Sequence, residues 1–458
     1  MDNSLYFDTM LKVAFHTLGC KVNFAETSTI SRQFLDRGFE VVGAGEPCDV
    51  YVLNTCSVTE RADRECRQII RRVLRHSPHA YVIATGCYAQ LQPDEIASIE
   101  GVDLLLGAKE KFRVFDVEQN FAKRGLPQTF VSCIDETLEF EPACSGENDG
   151  RTRAFLKIQD GCDYGCAFCT IPLARGASRS QSFGTVLQQA RVLADRGYRE
   201  IVLTGVNVGD YGRMIGTNLL KLLEALDTVD GIQRIRISSI EPNLLTTEMV
   251  DFIMRSDKIC HHFHIPLQSG SDTMLKRMRR RYLTGDYREI VEYVKRRDPG
   301  AGIGVDVIVG FPGETDALFD ETHLMLADLP VSYLHVFTYS ERPNTYAVAL
   351  PGKVEPKVRT ERSEMLRILS QKKRRAFFSS FVGKELEVLF ETVSANNRVS
   401  GLSSNYVRVE VQADEPLSNE IRNVRIVGLA DDRCRGEIVT AGREEAIAQP
   451  LSYEFALS

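Results

Sequence analysis

Long apolar segments are absent from the 458-residue sequence. No stretch approaches 18 consecutive apolar residues, the length at which a membrane-spanning helix is expected. The chain begins MDNSLYFDTMLK, with no basic region followed by an apolar run, so we expect no secretory signal peptide. An excess of positive charge is absent too: the net charge is −7, which gives the chain as a whole no attraction for nucleic acid. These absences predict a cytoplasmic protein that does not enter a membrane.

Apart from these absences the composition is ordinary. Hydrophobic residues make up 43% and charged residues 26%, as in soluble globular proteins, and the length suits two to four domains. The 12 cysteines are spread along a chain without a secretory signal. This usage favours a reducing compartment, and metal or redox roles over disulfides.

Three cysteines lie together in the segment GCDYGCAFCTIPLARGASR at 161–179, spaced C-x3-C-x2-C. They are Cys162, Cys166 and Cys169, and no further cysteine occurs before Cys260. A structural zinc site needs four protein ligands, and a ferredoxin motif supplies four cysteines. Three thiolates instead suit a four-iron cluster that leaves one iron open to a small molecule. The spacing resembles that of the radical S-adenosylmethionine (SAM) enzymes, with a zinc site or a chance grouping as the alternative.

Residues 1–137 alternate strand and helix patterns in a way that predicts a parallel α/β sheet. Cys20, Cys56 and Cys87 each directly follow one of the predicted strands, so they would share the carboxyl edge of the sheet, where ligands bind. They are 36 and 31 residues apart, and three buried cysteines acting as small hydrophobes are the alternative. Position alone leaves both interpretations open. A helix is predicted after Cys20, with Asn23 as its candidate N-cap.

The other six cysteines lack this placement. We predict core or surface thiols without a metal role for Cys48, Cys66, Cys133, Cys144, Cys260 and Cys434.

A polar, glycine-bearing segment at 138–150 predicts a linker to a second domain at 151–380. Six strand candidates alternate with helices there and predict a partial (β/α) barrel, whose chemistry belongs at the carboxyl ends of its strands. Polar and glycine residues at those ends suit a zwitterionic, ribose-bearing ligand, because glycine lets the backbone approach closely. Each candidate taken alone is also typical of a turn. The candidates for binding such a cofactor are Gly205, Asn207, Glu241, Gln268 and Gly310.

After a long basic helix from about residue 359 to 381, short alternating strands predict a small β-barrel domain at 381–449, followed by a tail at 450–458. Between residues 384 and 445 there are 8 basic and 12 acidic side chains, a net charge of −4. Local basic clusters lie elsewhere, and solvated helix faces are the alternative explanation for them. The candidates for contacts with the phosphates of a nucleic acid are Lys276, Arg277, Arg279, Arg280, Arg281, Lys372 and Lys373.

Along nearly its whole length the chain resembles the radical SAM methylthiotransferases, which join an N-terminal cluster domain, a radical SAM barrel and a C-terminal TRAM domain. The matching motifs are TLGCKVN at 17–23, NTCSVT at 54–59, ATGCYAQ at 84–90, GCDYGCAFCTIPLARG at 161–176, HIPLQSGS at 264–271 and GFPGET at 310–315. The resemblance implies two four-iron clusters and SAM as cofactors. It assigns the second cluster to Cys20, Cys56 and Cys87, makes all six cysteines catalytic, and places Phe168 beside the adenine of SAM.

Within this family, ARGASRS at 174–180, RIRISSIE at 234–241 and DVIVGFPGET at 306–315 look most like the MtaB-type subgroup. That likeness implies a methylthio group added at C2 of N6-threonylcarbamoyladenosine, 3′ to the anticodon of tRNA, to give 2-methylthio-N6-threonylcarbamoyladenosine. The C2–H resists acid–base chemistry, so a 5′-deoxyadenosyl radical from SAM would attack it. The implied partners are a tRNA anticodon loop, an electron donor and a sulfur donor.

Two other functions stay open. The acidic C-terminal segment suits the sister subgroup that methylthiolates an aspartate of a small-subunit ribosomal protein. A non-catalytic iron–sulfur or RNA-binding adaptor is the third possibility, and the two three-cysteine sets argue against it.

Overall fold

A computed structural model describes residues 10–57, 60–137, 139–146, 151–394, 397–413 and 415–439. The predicted tail at 450–458, the first nine residues, and parts of the predicted linker and C-terminal domain (138, 147–150 and 440–449) lie outside this description.

The N-terminal unit is a six-stranded parallel sheet in the order β2-β1-β3-β4-β5-β6, as the sequence predicts. Every residue of β3 and β4 is buried, because helices cover both faces of a parallel sheet. Its elements are β1 (Lys12–Thr17), α1 (Lys21–Leu35), β2 (Glu40–Val42), β3 (Val50–Thr55), α2 (Glu60–His76), β4 (Tyr81–Gly86), α3 (Cys87–Leu91), α4 (Pro93–Ala97), β5 (Leu104–Leu106), α5 (Val114–Val117) and β6 (Gln128–Phe130).

The central unit is a partial barrel of six parallel strands, as predicted. Two three-stranded sheets, β7-β10-β11 and β12-β13-β14, are joined by a parallel bridge between Ile235 and Ile259. The elements are β7 (Arg153–Lys157), β8 (Gln159–Asp160), α6 (Ile171–Arg175), β9 (Arg179–Ser180), α7 (Phe183–Asp195), β10 (Glu200–Thr204), α8 (Leu219–Asp227), β11 (Arg234–Ile237), α9 (Thr247–Arg255), β12 (His262–His264), α10 (Asp272–Arg277), α11 (Thr284–Arg297), β13 (Gly302–Val309), α12 (Asp316–Asp328) and β14 (Tyr333–Thr338).

Local sequence explains where the outer helices of the barrel begin. Helices α7, α8, α9 and α12 each start after a residue whose side chain accepts a backbone N–H of the first turn. These caps are Ser182, Asn218, Thr246 and Thr315. The apolar faces of the helices pack on the strands and form the largest core of the molecule.

The basic helix α13 (Pro356–Ser379) leads into a closed five-stranded barrel, which confirms the predicted small β-barrel. Its strands are β15 (Glu385–Ser394), β16 (Arg398–Ser403), β17 (Arg408–Gln412), β18 (Ile421–Ala430) and β19 (Arg433–Ile438), in the order β15-β16-β17-β19-β18.

This small barrel docks on the amino-terminal ends of the central strands. Arg234 donates to the carbonyls of Leu402 (3.0 Å) and Glu387 (2.7 Å), and Arg236 donates to those of Ser404 (2.9 Å) and Ser403 (3.1 Å). The small barrel therefore does not cover the carboxyl ends of the strands. The cysteine motif lies at those ends, and the N-terminal unit packs there.

None of the described helices has both the length and the apolar character needed to cross a bilayer.

Candidate active site

The loop that carries Cys162, Cys166 and Cys169 runs from β8 to α6 at the carboxyl end of the first barrel strand. Backbone N–H groups of Tyr164 and Ile171 each lie 3.4 Å from a sulfur, that of Cys162 and of Cys169 respectively. N–H groups pointed at sulfur stabilise thiolates and tune iron–sulfur clusters. The three donors are soft and share one loop, so they fit an iron–sulfur cluster.

Arg280 completes the surroundings of this loop. Its Nη1 donates to the sulfur of Cys166 at 2.9 Å, its Nε donates to the hydroxyl of Tyr282 at 3.0 Å, and its Nη2 pairs with Glu241. The side chain is only 3% exposed, so it cannot reach an RNA phosphate. The predicted phosphate contact is wrong for Arg280, because its neighbours in the fold are a cysteine sulfur and a carboxylate.

Burial raises the pKa of Cys162 to about 11 and that of Cys169 to about 12, and it also raises the pKa of Cys166. Without metal these groups therefore remain thiols near neutral pH. Because metal ligation requires thiolates, loading the site must release protons.

A cavity of about 300 Å³ opens beside the cysteine loop, at the carboxyl ends of the barrel strands. Of the predicted cofactor-binding residues, Phe168, Glu241 and Gln268 line it, together with Cys169 itself. The hydroxyl of Tyr339 also borders the cavity and has no hydrogen-bond partner among the described residues. A buried hydroxyl left unpaired beside a cavity suits a polar ligand.

The other three predicted cofactor residues do not line the cavity. Gly205 abuts Gln159, and the backbone N–H of Asn207 donates to Gln159 at 2.7 Å, while the Oδ1 atom of Asn207 has no partner among the described residues. Gly310 has a φ of +75°, and an added Cβ would lie 2.3 Å from Arg359. Glycine is therefore required at 310 by the turn and by this packing.

The second set of cysteines stands at one edge of the N-terminal sheet. Cys56 and Cys87 directly follow the strands β3 and β4, and Cys20 lies three residues beyond the end of the neighbouring strand β1, at the edge where the sequence placed them. Gly19 lets two of these loops touch: its φ is +98°, and an added Cβ would lie 2.7 Å from the sulfur of Cys56. Cys56 and Cys87 are buried and Cys20 is exposed. A closed zinc site needs four protein ligands, so three sulfur donors fit a cluster with an open iron better.

Asn23 links the loops that carry these cysteines. It lies inside α1, whose N-cap is Cys20, so its predicted role as the cap is wrong. Its amide donates to the carbonyls of Leu18 (2.8 Å) and Thr55 (3.0 Å), just before Cys20 and Cys56.

Arg175, the last residue of α6, connects this arrangement to the first cysteine loop. Its guanidinium is 2% exposed and contacts Asn23 Oδ1 (2.5 Å), both oxygens of Glu26 (2.9 and 3.1 Å) and Asp160 (2.9 Å). Asp160 stands two residues before Cys162. One cation therefore joins the segments on which both sets of cysteines depend.

The buried group around Arg175 carries more positive than negative side chains. Lys111, Lys157 and Arg179 also contact its two carboxylates, Glu26 and Asp160. Burial alone would raise the pKa of Glu26, but Arg175, Lys111 and Lys157 outweigh it and hold that pKa far below its usual range. The excess cations lie beside Cys87. Burial raises the pKa of Cys87, and the positive charge of Arg175 opposes this rise. An anionic cluster at Cys87 would balance this charge.

Arg342 makes a second link between the units. It follows β14, is buried, and donates to Ser57 (2.5 Å) while pairing with Asp63 (2.7 Å). The loop directly after Cys56 is thereby held against the barrel.

The remaining predicted RNA contacts fall into two groups. Lys276, Arg279 and Arg281 are exposed, and Arg281 stacks over the ring of Tyr164 in the cysteine loop at 3.8 Å. Lys372 is exposed as well. The other two already bind backbone carbonyls: Arg277 those of Pro312 and Pro351, and Lys373 those of Ala327 and Leu329.

Sequence reasoning missed the roles of Arg175 and Arg280. Arg175 is the third residue of the LARG segment at 173–176 that follows the cysteine motif, and this position is the one available signal. Arg280 lies in a basic run that is typical of a solvated surface.

Comparison with known proteins agrees with this geometry. Residues 156–326 match the Radical SAM superfamily, and residues 12–107 match Uncharacterized protein family UPF0004. The solved structure of the radical S-adenosylmethionine methyltransferase TsrM from Kitasatospora setae superimposes with a TM-score of 0.52 at 16% identity, covering 74% of this chain and 77% of TsrM. That likeness concerns the fold. Fold and cysteine loop together define a radical SAM enzyme.

Sequence relatives narrow the class. The threonylcarbamoyladenosine tRNA methylthiotransferases MtaB of Bacillus subtilis and Aquifex aeolicus are 41% and 39% identical, covering 95% and 90% of this chain and 98% and 99% of their own. The tRNA-2-methylthio-N(6)-dimethylallyladenosine synthase of Alkaliphilus oremlandii is 31% identical over 93% of both chains. The chain belongs to the methylthiotransferase family of radical SAM enzymes. A four-iron cluster and SAM follow as its cofactors.

Proposed function

We propose that this enzyme is a tRNA methylthiotransferase that acts on N6-threonylcarbamoyladenosine 3′ to the anticodon. It adds a methylthio group at C2, and the product is 2-methylthio-N6-threonylcarbamoyladenosine. The observation that carries the proposal is the near-full-length identity of about two residues in five with relatives named for this nucleoside.

We assign the four-iron cluster that binds SAM to Cys162, Cys166 and Cys169, and a second one to Cys20, Cys56 and Cys87. When bound, the cluster and SAM supply the radical that activates the C2–H bond. The chain's own part is to donate N–H groups to the sulfurs and to hold the two cysteine sets in fixed relative positions through Arg175 and Arg342.

The substrate base would reach the cavity unstacked from its loop, which single-stranded RNA permits at low cost. Lys276, Arg279 and Arg281 are exposed, Arg281 contacts the cysteine loop, and the three suit phosphates of the anticodon arm. The reaction also needs an electron donor and a sulfur donor as partners.

The test compares tRNA nucleosides by mass spectrometry in cells that lack the gene and cells that regain it. We expect the methylthiolated nucleoside to disappear and return. Cells that regain the gene with Cys162, Cys166 and Cys169 replaced by Ala should contain only the nucleoside without the methylthio group. The purified variant should hold half the iron of the unaltered enzyme and should not cleave SAM.

Replacement of Cys20, Cys56 and Cys87 should also halve the iron and stop methylthiolation, but SAM cleavage should persist. The matched control replaces Cys133 and Cys144 with Ser and should change neither iron nor product. Retained methylthiolation in either triple variant would refute the assignment of that set.

One observation favours a second substrate class. The C-terminal barrel segment carries a net charge of −4, which suits a basic protein better than RNA. If restoring the gene left tRNA nucleosides unchanged and instead modified an aspartate of a small-subunit ribosomal protein, that protein would replace tRNA as the proposed substrate.

A further inference from the structure

Three metal-binding side chains meet at one level of the central barrel, apart from both sets of cysteines. His264, Asp306 and His335 lie on the adjacent parallel strands β12, β13 and β14. Asp306 and His335 are direct partners in the register, and His264 pairs with Gly304 on the same strand as Asp306. Side chains on neighbouring strands of a packed barrel are held more rigidly than side chains on loops.

The separations of their ligand atoms match one coordination sphere. Oδ1 of Asp306 lies 3.0 Å from Nε2 of His264 and 3.2 Å from Nδ1 of His335, and all three ligand atoms lie within 4.8 Å of one another. Metal–nitrogen and metal–oxygen bonds of about 2.0–2.2 Å place neighbouring ligands about 3.0–3.4 Å apart. One ion could therefore contact all three atoms with small side-chain adjustments.

The set can be reached from outside the barrel core. Of the three residues, Asp306 lines the active-site cavity, and the side chain of His335 is 48% exposed. The nearest other imidazole in the strand, His262, is buried and already bonded through Nε2 to the hydroxyl of Tyr333 at 2.8 Å. Three protein ligands with the remaining positions open is the arrangement of a reactive or ligand-binding metal site rather than a closed structural one.

We propose that His264, Asp306 and His335 bind one divalent transition metal ion at the floor of the cavity. Two imidazoles and one carboxylate select ions such as Zn²⁺, Fe²⁺, Co²⁺ or Ni²⁺ over Mg²⁺ and Ca²⁺, which prefer oxygen. The remaining positions of the ion take oxygen or nitrogen donors from solvent or from a molecule bound in the cavity.

The test uses the anaerobically reconstituted holoenzyme, equilibrated with a small excess of Zn²⁺ and freed of unbound metal. Zinc and iron are counted together, and the zinc K-edge absorption fine structure gives the ligand shell. We expect one zinc per chain at unchanged iron, with a nitrogen and oxygen shell at about 2.0–2.1 Å and no sulfur at about 2.3 Å. The sulfur distance separates this site from zinc captured by cysteines.

The variant His264→Ala/His335→Ala should lose this zinc and keep its iron, and Asp306→Asn, which preserves the side-chain volume, should weaken binding at least tenfold. His261→Ala is the matched control, because His261 pairs with Asp298 at 2.8 Å outside the site. Absence of retained zinc in the wild type, a sulfur shell, or equal zinc in the double variant would overturn the proposal.

Discussion

Arg280 places a permanent positive charge and an N–H donor against the sulfur of Cys166. Both features stabilise negative charge on the ligand, and a reduced cluster carries more negative charge than an oxidised one. The arginine should therefore make the cluster that we assign to Cys162, Cys166 and Cys169 easier to reduce. Its pairing with Glu241 limits this effect and fixes the direction of the guanidinium.

We predict that Arg280→Gln lowers the reduction potential of this cluster by about 50 mV. A charge-assisted bond that is stronger by about 1 kcal/mol in the reduced state corresponds to roughly this shift for one electron. The measurement is a redox titration followed by electron paramagnetic resonance, in protein whose Cys20, Cys56 and Cys87 are replaced by Ala so that one cluster remains.

Arg281→Gln is the control for that prediction. Arg281 is the neighbouring arginine, it is exposed, and it contacts a ring and a carbonyl rather than a sulfur. Equal shifts in the two variants would contradict a specific effect of the bond to Cys166.

The structure places at the expected strand ends those residues whose positions are set by chain order, while their role as cluster ligands stays a prediction. The three cysteines of the loop are brought together by their spacing, and Cys20, Cys56 and Cys87 by the rule that parallel strands end at a common edge. Sequence reasoning failed for Arg280, and also for Asn23, because their partners come from distant segments. A basic run and a residue near a helix start have ordinary explanations until those partners are known.

At the scale of elements, the two cysteine sets are connected by buried polar contacts between the short helix α6 and the first turns of α1. Arg175 at the end of α6 reaches Asn23 and Glu26 of α1, and all the groups involved are buried. Removing one member of such a network leaves others desolvated and unpaired, which is costly.

We predict that Arg175→Met lowers the free energy of unfolding by about 3–5 kcal/mol, as expected for breaking a buried ion pair. Denaturant unfolding of the metal-free protein measures it, with Arg288→Met as the control. Arg288 pairs with Asp328 at 2.7 Å in an exposed setting, and its loss should cost less than about 1 kcal/mol. Similar costs for the two variants would mean that the network does not hold the units together.

The predicted elements themselves were recovered where patterns are long. The fully buried β3 and β4 appear in the sequence as apolar runs, whereas β2 and β6 have three residues each and are partly exposed, so no pattern marks them. The positions of β2 and β6 in the sheet are set by their pairing with β1 and β5 rather than by the pattern of their own residues.

At the scale of the whole molecule, the exposed cations near the site lie at the opposite end of the barrel from the small C-terminal barrel. Arg281 stacks on Tyr164 of the cysteine loop, exposed Lys276 and Arg279 lie in the same segment of the chain, and the small barrel contacts the first residues of the strands. Binding of RNA near the chemistry therefore does not depend on the acidic domain alone.

We predict that changing Lys276, Arg279 and Arg281 together to Gln weakens tRNA binding and reduces its salt dependence. For every phosphate that is no longer neutralised, the slope of log K against log salt should fall in magnitude by about 0.7. Filter binding over a range of salt measures this. The control triple variant changes Arg191, Arg196 and Arg199, which are exposed at the far end of the barrel, and an equal weakening there would refute a local interaction.

The docking of the small barrel has a practical consequence for anyone who shortens this protein. Arg234 and Arg236 are 2% and 1% exposed, and their guanidinium groups donate to carbonyls of that domain. A chain cut after α13 would uncover these two charged groups together with the amino-terminal ends of the strands beneath them. Weak RNA binding by such a truncated enzyme would therefore report a damaged barrel, and surface substitutions are the sounder way to ask what the last domain contributes.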